Sequence, residues 1–205
     1  MIIQNLIRIV RRKLNTLMNN PSKTVKTKIN QYALILASKL GGKIRPWSDA
    51  TYTWHWNYVS FVSKTVLDLG ADYGSTAWLF LQLGAKKVIA VEGDEKCIPK
   101  LCKNHGKNPS VVCIHKWINS PIHFNALIQL FEPDIVKVDI EGAEECLLGV
   151  SKDLICSVDK WLIETHSKQL YDAIYSLFSS LGYRLETRYQ DETSQIAVIC
   201  ARKRS

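Results

Sequence analysis

Hydrophobic and polar positions follow two different patterns along the chain, and the change falls near residue 65. Before it, apolar residues recur with helical spacing over about residues 2–18, and a second helical stretch over about 28–40 ends at Gly41 and Gly42. After it, short apolar runs alternate with amphipathic segments of helix length. This alternation is typical of βαβ units, which form a mostly parallel sheet covered by helices on both faces.

The second pattern predicts seven strands and five helices. The strands are expected at 65–69, 87–92, 111–117, 134–139, 160–165, 183–189 and 195–201, and the helices near 75–83, 95–104, 121–131, 143–156 and 168–181. The last two strands have no helix-length gap between them, so we expect an antiparallel hairpin at one edge. The prediction is an α/β fold with a doubly wound, mostly parallel sheet and an N-terminal helical appendage. In such a sheet, ligands bind at the carboxyl ends of the strands, where the strand order reverses.

Composition and charge divide the chain in two. The 205 residues are 46% hydrophobic and 22% charged, which excludes collagen-like, coiled-coil and wholly disordered proteins. Residues 1–48 contain ten Lys or Arg and no acidic residue, whereas residues 49–205 contain seventeen basic and nineteen acidic residues. We therefore predict a basic helical segment over 1–48 and a near-neutral domain over 49–205, and not a uniformly basic nucleic-acid binder.

The basic N-terminal helix is amphipathic. Charges interrupt it too often for a membrane span, and it lacks the uncharged stretch and cleavage site of a secretory signal. Docking on an anionic membrane surface, RNA binding, packing on the body or on a partner subunit, and an organellar transit peptide all fit its composition. We expect a cytoplasmic protein, with peripheral membrane association left open. The oligomeric state is not predicted.

The six cysteines form no CxxC pair and mostly lie inside apolar runs. This pattern predicts buried thiols in a reducing compartment, and not a disulfide scaffold. A second group of residues, Tyr52, Trp54, Trp56 and Tyr58, alternates just before the first strand. These aromatic side chains could anchor the N-terminal segment on the core, which we favour, or line an acceptor pocket.

A strand, a glycine turn and a helix follow one another in the run Val66-Leu67-Asp68-Leu69-Gly70-Ala71-Asp72-Tyr73-Gly74-Ser75. Glycines at 70 and 74 would let the backbone approach a ligand, and the following helix offers free N–H groups to an anion. The GxxxG spacing differs from the GxGxxG of dinucleotide sites. Asp68, two residues before the first glycine, suits a ligand with a cationic amine. A tight βα connection without a ligand is the plainer interpretation of the turn.

The second predicted strand ends in Glu92. A carboxylate at this place can accept hydrogen bonds from both hydroxyls of a ribose, as in other nucleoside-binding α/β folds. Trp117, at the end of the third predicted strand, lies near where such folds hold an adenine, although a core position is equally compatible with the pattern. The turn and the acid together indicate a nucleoside with an amino-acid arm more specifically than either does alone.

Further along, the chain carries Lys137-Val138-Asp139-Ile140-Glu141-Gly142-Ala143-Glu144 and Ile163-Glu164-Thr165-His166. With the run from Val66 to Gly74 and with Val91-Glu92, these segments resemble the FkbM-type S-adenosylmethionine-dependent methyltransferases, of which a DIEGAE-like segment is the distinguishing mark. The resemblance covers about residues 60–200. It implies a Rossmann-like class I methyltransferase sheet of seven strands and S-adenosyl-L-methionine as the cofactor. Two positions depart from the family pattern: Asp72 replaces the usual Asn, and Gly93 replaces a common Pro.

The predicted cofactor contacts combine the turn, the acid, the aromatic residue and the start of the DIEGAE segment. They are Asp68, Gly70, Ala71, Asp72, Gly74, Glu92, Trp117 and Asp139. Asp72 would repel the methionine carboxylate of the cofactor unless it turns toward the amino group.

The predicted catalytic residues lie at the carboxyl ends of the fourth and fifth strands. Asp139 and Glu141 are two residues apart and could point into one crevice with Lys137 of the same parity, and Glu164 and His166 repeat that spacing on the next strand. Methyl transfer to a hydroxyl requires removal of a proton, and His166 is the best candidate base because the pKa of an imidazole lies near neutral pH. The four residues could instead hold a divalent metal, which we do not favour. Glu144 could serve the site or only favour the start of the next helix.

We therefore expect a methyltransferase that acts on a hydroxyl of a small molecule or glycan. One alternative is an RNA methyltransferase whose basic segment contacts phosphates. Another is a catalytically silent protein of the same fold that acts as a membrane or partner adaptor.

Overall fold

The computed structural model describes Trp56, residues 58–191 and residues 195–204. The predicted N-terminal helices, the boundary at residue 48 and the aromatic positions 52 and 54 lie outside these residues. The described strands are β1 (Thr65–Leu69), β2 (Lys87–Glu92), β3 (Val111–His115), β4 (Ile135–Val138), β5 (Lys160–Thr165), β6 (Arg184–Asp191) and β7 (Ile196–Arg202). The α-helices are α1 (Ser75–Gln82), α2 (Ile98–His105), α3 (Pro121–Phe131), α4 (Lys152–Ser157) and α5 (Lys168–Ser180), with a 3₁₀ helix over Glu144–Gly149 between β4 and α4.

The seven strands form one sheet in the order β3-β2-β1-β4-β5-β7-β6. The first five are parallel, and β7 is antiparallel to both β5 and β6. The predicted sheet and its C-terminal hairpin are thus confirmed. The strand order reverses between β1 and β4, so the segments that follow these two strands meet at the edge where ligands of such sheets bind.

The sheet is buried on both faces, as its continuous apolar strands predict. Leu67, Ile89 and Val136 lie on one side of the central strands and are fully buried with the helices α3 and α5. The same core contains an aromatic trio that packs edge to face at centroid distances of 5.3–5.4 Å, the geometry that aromatic pairs prefer: Trp161, Phe178 and Tyr183. Within the described ranges, no helix is long and apolar enough to cross a bilayer.

The largest departure from the predicted elements follows β4. The helix expected over 143–156 is wrong, because the 3₁₀ helix ends at Gly149 and α4 begins only at Lys152. Between them, Val150 has an extended backbone that turns its side chain into the core. At Gly149 the chain passes so close to Pro121 that a Cβ would stand 2.6 Å from the ring. Packing in this corner therefore overrides the helical periodicity.

The strand β3 also ends earlier than predicted, at His115, which leaves Trp117 in the loop beyond it. The cysteines are free of disulfides, as expected, but the prediction that they are buried is wrong for all except Cys200. The other five are half-buried or exposed. Trp56 is fully buried, with the ammonium of Lys137 5.2 Å from its ring centroid.

Candidate active site

The glycine turn after β1 packs directly against the segment after β4. Gly70 has φ 77°, and a Cβ there would stand 1.6 Å from the carbonyl oxygen of Asp139. Gly74 has φ 92°, and a Cβ there would stand 2.3 Å from the ring of His105, whose Nε2 lies 2.8 Å from the Gly74 carbonyl oxygen. Both glycines are therefore required by backbone conformation and by close packing. The turn has no room for a side chain at either position.

Glu92 is fixed by three backbone N–H groups. Its Oε1 accepts hydrogen bonds from Gly93 and Asp94 at 2.8 Å each, and its Oε2 accepts one from Asp72 at 2.7 Å. A carboxylate offers about four acceptor directions, so one remains for a ligand hydroxyl where the sequence suggested two. Asp72, with φ 48°, contacts the thiol of Cys97 at 3.3 Å through Oδ1.

The rest of the predicted nucleoside pocket lies close to this acid. Ala71 is buried, and its N–H donates to the Val91 carbonyl oxygen at 3.0 Å. Trp117 is 62% exposed, which is inconsistent with the core position considered for it. Its indole instead packs on Gly93, where a Cβ would stand 2.6 Å from the ring. The Gly93 departure from the family pattern thus gives an exposed aromatic face next to Glu92.

Beneath the turn, a buried lysine joins β1 to β4. Lys137 Nζ donates to the carbonyl oxygens of Gly70 at 2.6 Å and Leu69 at 3.2 Å, and it pairs with Asp68 at 3.4 Å and Asp139 at 3.3 Å. Burial alone would lower the pKa of Lys137, but the charges of Asp139 and Asp68 raise it above its usual value. The ammonium is therefore a permanent charge that supports the turn.

Asp68 is fully buried, and its Oδ2 accepts a hydrogen bond from the hydroxyl of Thr76 at 2.6 Å. Burial raises the pKa of Asp68, and the nearby Lys137 charge opposes that increase. The carboxylate lies below the glycine turn and is held there by Lys137 and Thr76. Its predicted contact with a cationic amine stays a prediction.

Four side chains converge at the carboxyl ends of β4 and β5, as the spacing suggested. His166 Nε2 lies 3.6 Å from Glu164 Oε1 and 3.8 Å from Glu141 Oε2. One donor atom from each of Asp139, Glu164 and His166 lies within 4.8 Å of the others, so this trio could hold a divalent cation. Glu141 has φ 52° and a side chain 84% exposed, so it lies at the rim of the cleft and not in a strand.

Glu144 is the acid that reaches His166 most closely. It is fully buried, and its Oε1 lies 3.1 Å from His166 Nδ1. Its oxygens also accept hydrogen bonds from the N–H groups of Ile140 at 3.1 Å and Gly142 at 2.9 Å. The suggestion that Glu144 merely favours a helix start does not account for this position.

The ionisation of the cluster is shifted by its own charges. Contact with Glu144 raises the pKa of His166 to about 9, despite partial burial, and Glu164 and Glu141 add to the effect. Burial, reinforced by the negative charge of Asp139, raises the pKa of Glu164 to about 7. Contact with Glu144 therefore moves the pKa of His166 above the near-neutral value of an ordinary imidazole, on which the choice of this residue as the base rested. The acids around the imidazole thus favour its protonated form, and burial favours the protonated form of Glu164.

The structure thus brings Asp139, Glu141, Glu164 and His166 together, and it places Glu92 beside the glycine turn. Sequence reasoning gave no role to Thr76 and assigned none firmly to Glu144. The sequence gives no signal for Thr76 beyond its place in the first turn of α1. Glu144 carried a signal in the DIEGAE segment itself, where it is the last letter.

The chain is similar to known methyltransferases in sequence and in fold. Residues 120–185 match the methyltransferase FkbM domain. The ribosomal RNA small subunit methyltransferase A of Allorhizobium ampelinum is 25% identical over 146 residues, which cover 67% of this chain and 47% of that protein. The chain spans about half the length of the curated relatives of this kind.

Solved structures show the same fold at low identity. The precorrin-6y C5,15-methyltransferase of Geobacter metallireducens superposes with a TM-score of 0.58 at 14% identity, over 79% of this chain and 92% of that one. Fibrillarin of Aeropyrum pernix, in complex with natively bound S-adenosyl-L-methionine, gives 0.56 at 14% identity, over 73% and 71%. The predicted family resemblance and the predicted Rossmann-like methyltransferase fold are confirmed, and the predicted enzyme class is supported.

Proposed function

We propose that this chain, with its FkbM-type domain, is a methyltransferase that uses S-adenosyl-L-methionine to methylate a hydroxyl of a small molecule or glycan. One observation carries the proposal. The turn that would hold the donor, at Gly70, is packed on Asp139, the first member of the acid–base cluster. A donor site and a proton-accepting site are therefore adjacent across the point where the strand order reverses.

The residues around the turn fit the donor in charge and shape. Glu92 has an acceptor direction left for a ribose hydroxyl, and Trp117 presents an exposed ring beside it. The helix α1 begins immediately after Gly74, so its free N–H groups favour an anionic end of a ligand. When bound, S-adenosyl-L-methionine supplies an electrophilic methyl group on a sulfonium ion. Lys137 keeps the turn and β4 in fixed register below it.

His166 is the proposed base. Its Nε2 faces Glu164 and Glu141 at the open side of the cluster, whereas Nδ1 faces the buried Glu144. Positive charge brought into the cleft lowers the pKa of His166, because one cation disfavours another. Nε2 then accepts the hydroxyl proton of the acceptor, and the exposed Glu141, 3.8 Å away, is the acid between Nε2 and solvent.

The acceptor class is argued from charge. Asp139, Glu141 and Glu164 line the cleft, and Glu141 at its rim is largely exposed. Carboxylates at the entrance repel phosphate groups, whereas they accept hydrogen bonds from hydroxyls. The arrangement therefore favours a polyhydroxylated acceptor over a phosphate backbone.

RNA is the second candidate acceptor, and two observations favour it. A curated relative is a ribosomal RNA methyltransferase, and residues 1–48 carry ten basic residues and no acidic one. Such a segment could supply phosphate contacts away from the cleft. Methyl incorporation into RNA that decreases steeply with salt would establish this alternative and overturn the small-molecule proposal.

The test is incubation of the full chain with methyl-labelled S-adenosyl-L-methionine and separate pools of small polyols, oligosaccharides and RNA, followed by mass spectrometry. We expect label on a hydroxyl of the first or second pool. His166→Ala should lower turnover by about 100-fold or more, as for loss of a general base, while donor affinity is retained. The matched control is His123→Ala, which changes a histidine on α3 outside the cluster. A fully active His166→Ala variant would exclude His166 as the base.

A further inference from the structure

The chain leaves β4 through an unusual backbone turn. Glu141 has φ 52° and Gly142 has φ 95°, so two consecutive residues adopt left-handed conformations. The N–H groups of Ile140 and Gly142 both point to the carboxylate of Glu144, at 3.1 and 2.9 Å. Glu144 therefore closes the turn of its own segment.

The same carboxylate also reaches the neighbouring strand. It is fully buried, and an isolated buried carboxylate would be strongly unfavourable. His166, just after β5, brings Nδ1 to 3.1 Å from Glu144 Oε1. Burial raises the pKa of Glu144, but the contact with His166 and the backbone hydrogen bonds outweigh it and hold the pKa below its usual value. Glu144 thus remains ionised beside the imidazole.

This contact distinguishes the two nitrogens of the imidazole. Nδ1 faces the buried Glu144, whereas Nε2 faces Glu164 of β5 and Glu141 at the rim, at 3.6 and 3.8 Å. Because Nδ1 lies closer to a carboxylate than Nε2 does, the neutral ring favours its proton on Nδ1 and the lone pair on Nε2. Of the two, only Nε2 lies toward the exposed rim.

We infer that Glu144 is a positioning residue that fixes the ring and the tautomer of His166, so that Nε2 carries the lone pair toward the acceptor. The inference deepens the proposed function and rests on it for the identity of the base. Within the DIEGAE segment, Asp139 then pairs with Lys137, whereas Glu144 orients His166. It also explains why the segment ends in an acid that solvent does not reach.

A merely structural role would show the same contacts, so the test needs a readout that turn closure alone would not move. The variant Glu144→Gln keeps the size and one acceptor oxygen for the turn, but it removes the charge beside Nδ1. The matched control is Glu145→Gln, which neutralises the adjacent acid on an exposed side chain. Circular dichroism and thermal unfolding of both variants report whether the fold is intact.

The first measurement follows the ¹⁵N resonances of His166 against pH in the full chain, with chelator present and no donor. We expect the wild-type ring to titrate near pH 9 and its neutral form to carry the proton on Nδ1. In Glu144→Gln the midpoint should fall by about 1–3 pH units, as expected for loss of an opposite charge, whereas Glu145→Gln should titrate like the wild type. A Glu144→Gln midpoint equal to the wild-type value, or a neutral wild-type ring protonated on Nε2, would overturn the inference.

The second measurement is the double-mutant cycle of Glu144→Gln with His166→Ala. If Glu144 acts through His166, the charge-neutral variant lowers kcat in the wild-type background and has no further effect once His166 is removed. Donor affinity by calorimetry should stay unchanged, which separates kcat from binding. Equal kcat losses in both backgrounds would assign Glu144 to turn closure alone.

Failure of the proposed function and failure of this inference give different results. Absence of methyl transfer by the wild-type chain would defeat the proposed function, but the resonance titration would still decide the His166–Glu144 relation. If Glu144→Gln does not fold, Glu144→Asp keeps the charge but shortens the reach to Nδ1. Its His166 midpoint should then lie below that of the wild type, and an unchanged midpoint would contradict the inference.

Discussion

Lys137 offers the sharpest test of how the turn is supported. Its ammonium is fully buried, pairs with Asp68 and Asp139, and donates to the carbonyl oxygens of Leu69 and Gly70. The substitution Lys137→Met keeps most of the length of the side chain but leaves the buried Asp68 and the half-buried Asp139 without their cation. The expected result is a large loss of stability that is confined to the neutral and alkaline range.

The magnitude follows from burial. Removing one partner of a buried ion pair costs about 3–5 kcal/mol, because the remaining charge is uncompensated. With a urea dependence of about 2 kcal/mol/M, this corresponds to a decrease of about 2 M in the unfolding midpoint. The chain contains an internal control in Lys64, which pairs with Asp134 at 2.7 Å and Asp159 at 3.4 Å, with 30% of its side chain exposed. Because water screens that pair, Lys64→Met should cost only about 1 kcal/mol or less.

The loss of stability in Lys137→Met should depend on pH in a direction that the pKa of Asp68 determines. Burial already raises the pKa of Asp68 in the folded protein, and removing Lys137 raises it further. A carboxyl whose folded pKa exceeds its unfolded pKa binds its proton more tightly when folded, so stability increases as the pH falls through the folded value. The loss in Lys137→Met should therefore shrink as the pH is lowered from 7 to 5.

The assay is urea unfolding followed by far-ultraviolet circular dichroism at several pH values. The double variant Lys137→Met with Asp68→Asn should recover part of the loss at pH 7, because it removes one of the orphaned charges and keeps an acceptor for Thr76. Equal losses in Lys137→Met and Lys64→Met at pH 7 would refute the reasoning.

Three further results are expected. Glu92→Ala should weaken donor binding by about 1–3 kcal/mol, roughly 5- to 150-fold, because a ribose hydroxyl loses its acceptor. Calorimetry checks this against the exposed control Glu95→Ala, and an unchanged donor affinity would show that Glu92 does not line the pocket. The free energy of unfolding should decrease with rising pH, between about 4.5 and 7 for Glu164 and between about 6.5 and 9 for His166, because the folded pKa of each group exceeds its usual value. His166→Ala should remove the decrease between about pH 7 and 9, and a wild-type stability that stays constant over both ranges would contradict the cluster electrostatics. Chelator treatment should leave methyl transfer unchanged, because the proposed reaction assigns Nε2 to the acceptor; a loss restored by Mg²⁺ would reassign Asp139, Glu164 and His166 to a metal.

Most of the fold could be predicted because the period of the apolar residues is a local property of the sequence. The strands β1, β2 and β5 match their predicted bounds, and the C-terminal hairpin follows from the short gap between its strands. The helix predicted over 143–156 could not be corrected from the pattern alone. Its interruption depends on where Pro121 and the core lie, which is a property of the tertiary packing.

Most residues of the candidate site could be predicted from the sequence, but their burial and their contacts could not. Strand parity brought Glu164 and His166 to one edge with Asp139, because parallel strands end together. It could not indicate that Glu144 is buried against Nδ1, or that Lys137 lies fully under the turn. The shifts in pKa arise from those burials and contacts, so the sequence could indicate a candidate base but not its ionisation.

The central claim is that a nucleoside pocket at the glycine turn adjoins the cluster of His166. The most direct measurement is a crystal structure of the full chain with S-adenosylhomocysteine, the demethylated donor. We expect a ribose hydroxyl on Glu92, the amino-acid arm along Gly70–Gly74, and the sulfur directed to the carboxyl ends of β4 and β5. A ligand bound elsewhere, or no ligand bound at a saturating concentration, would contradict it.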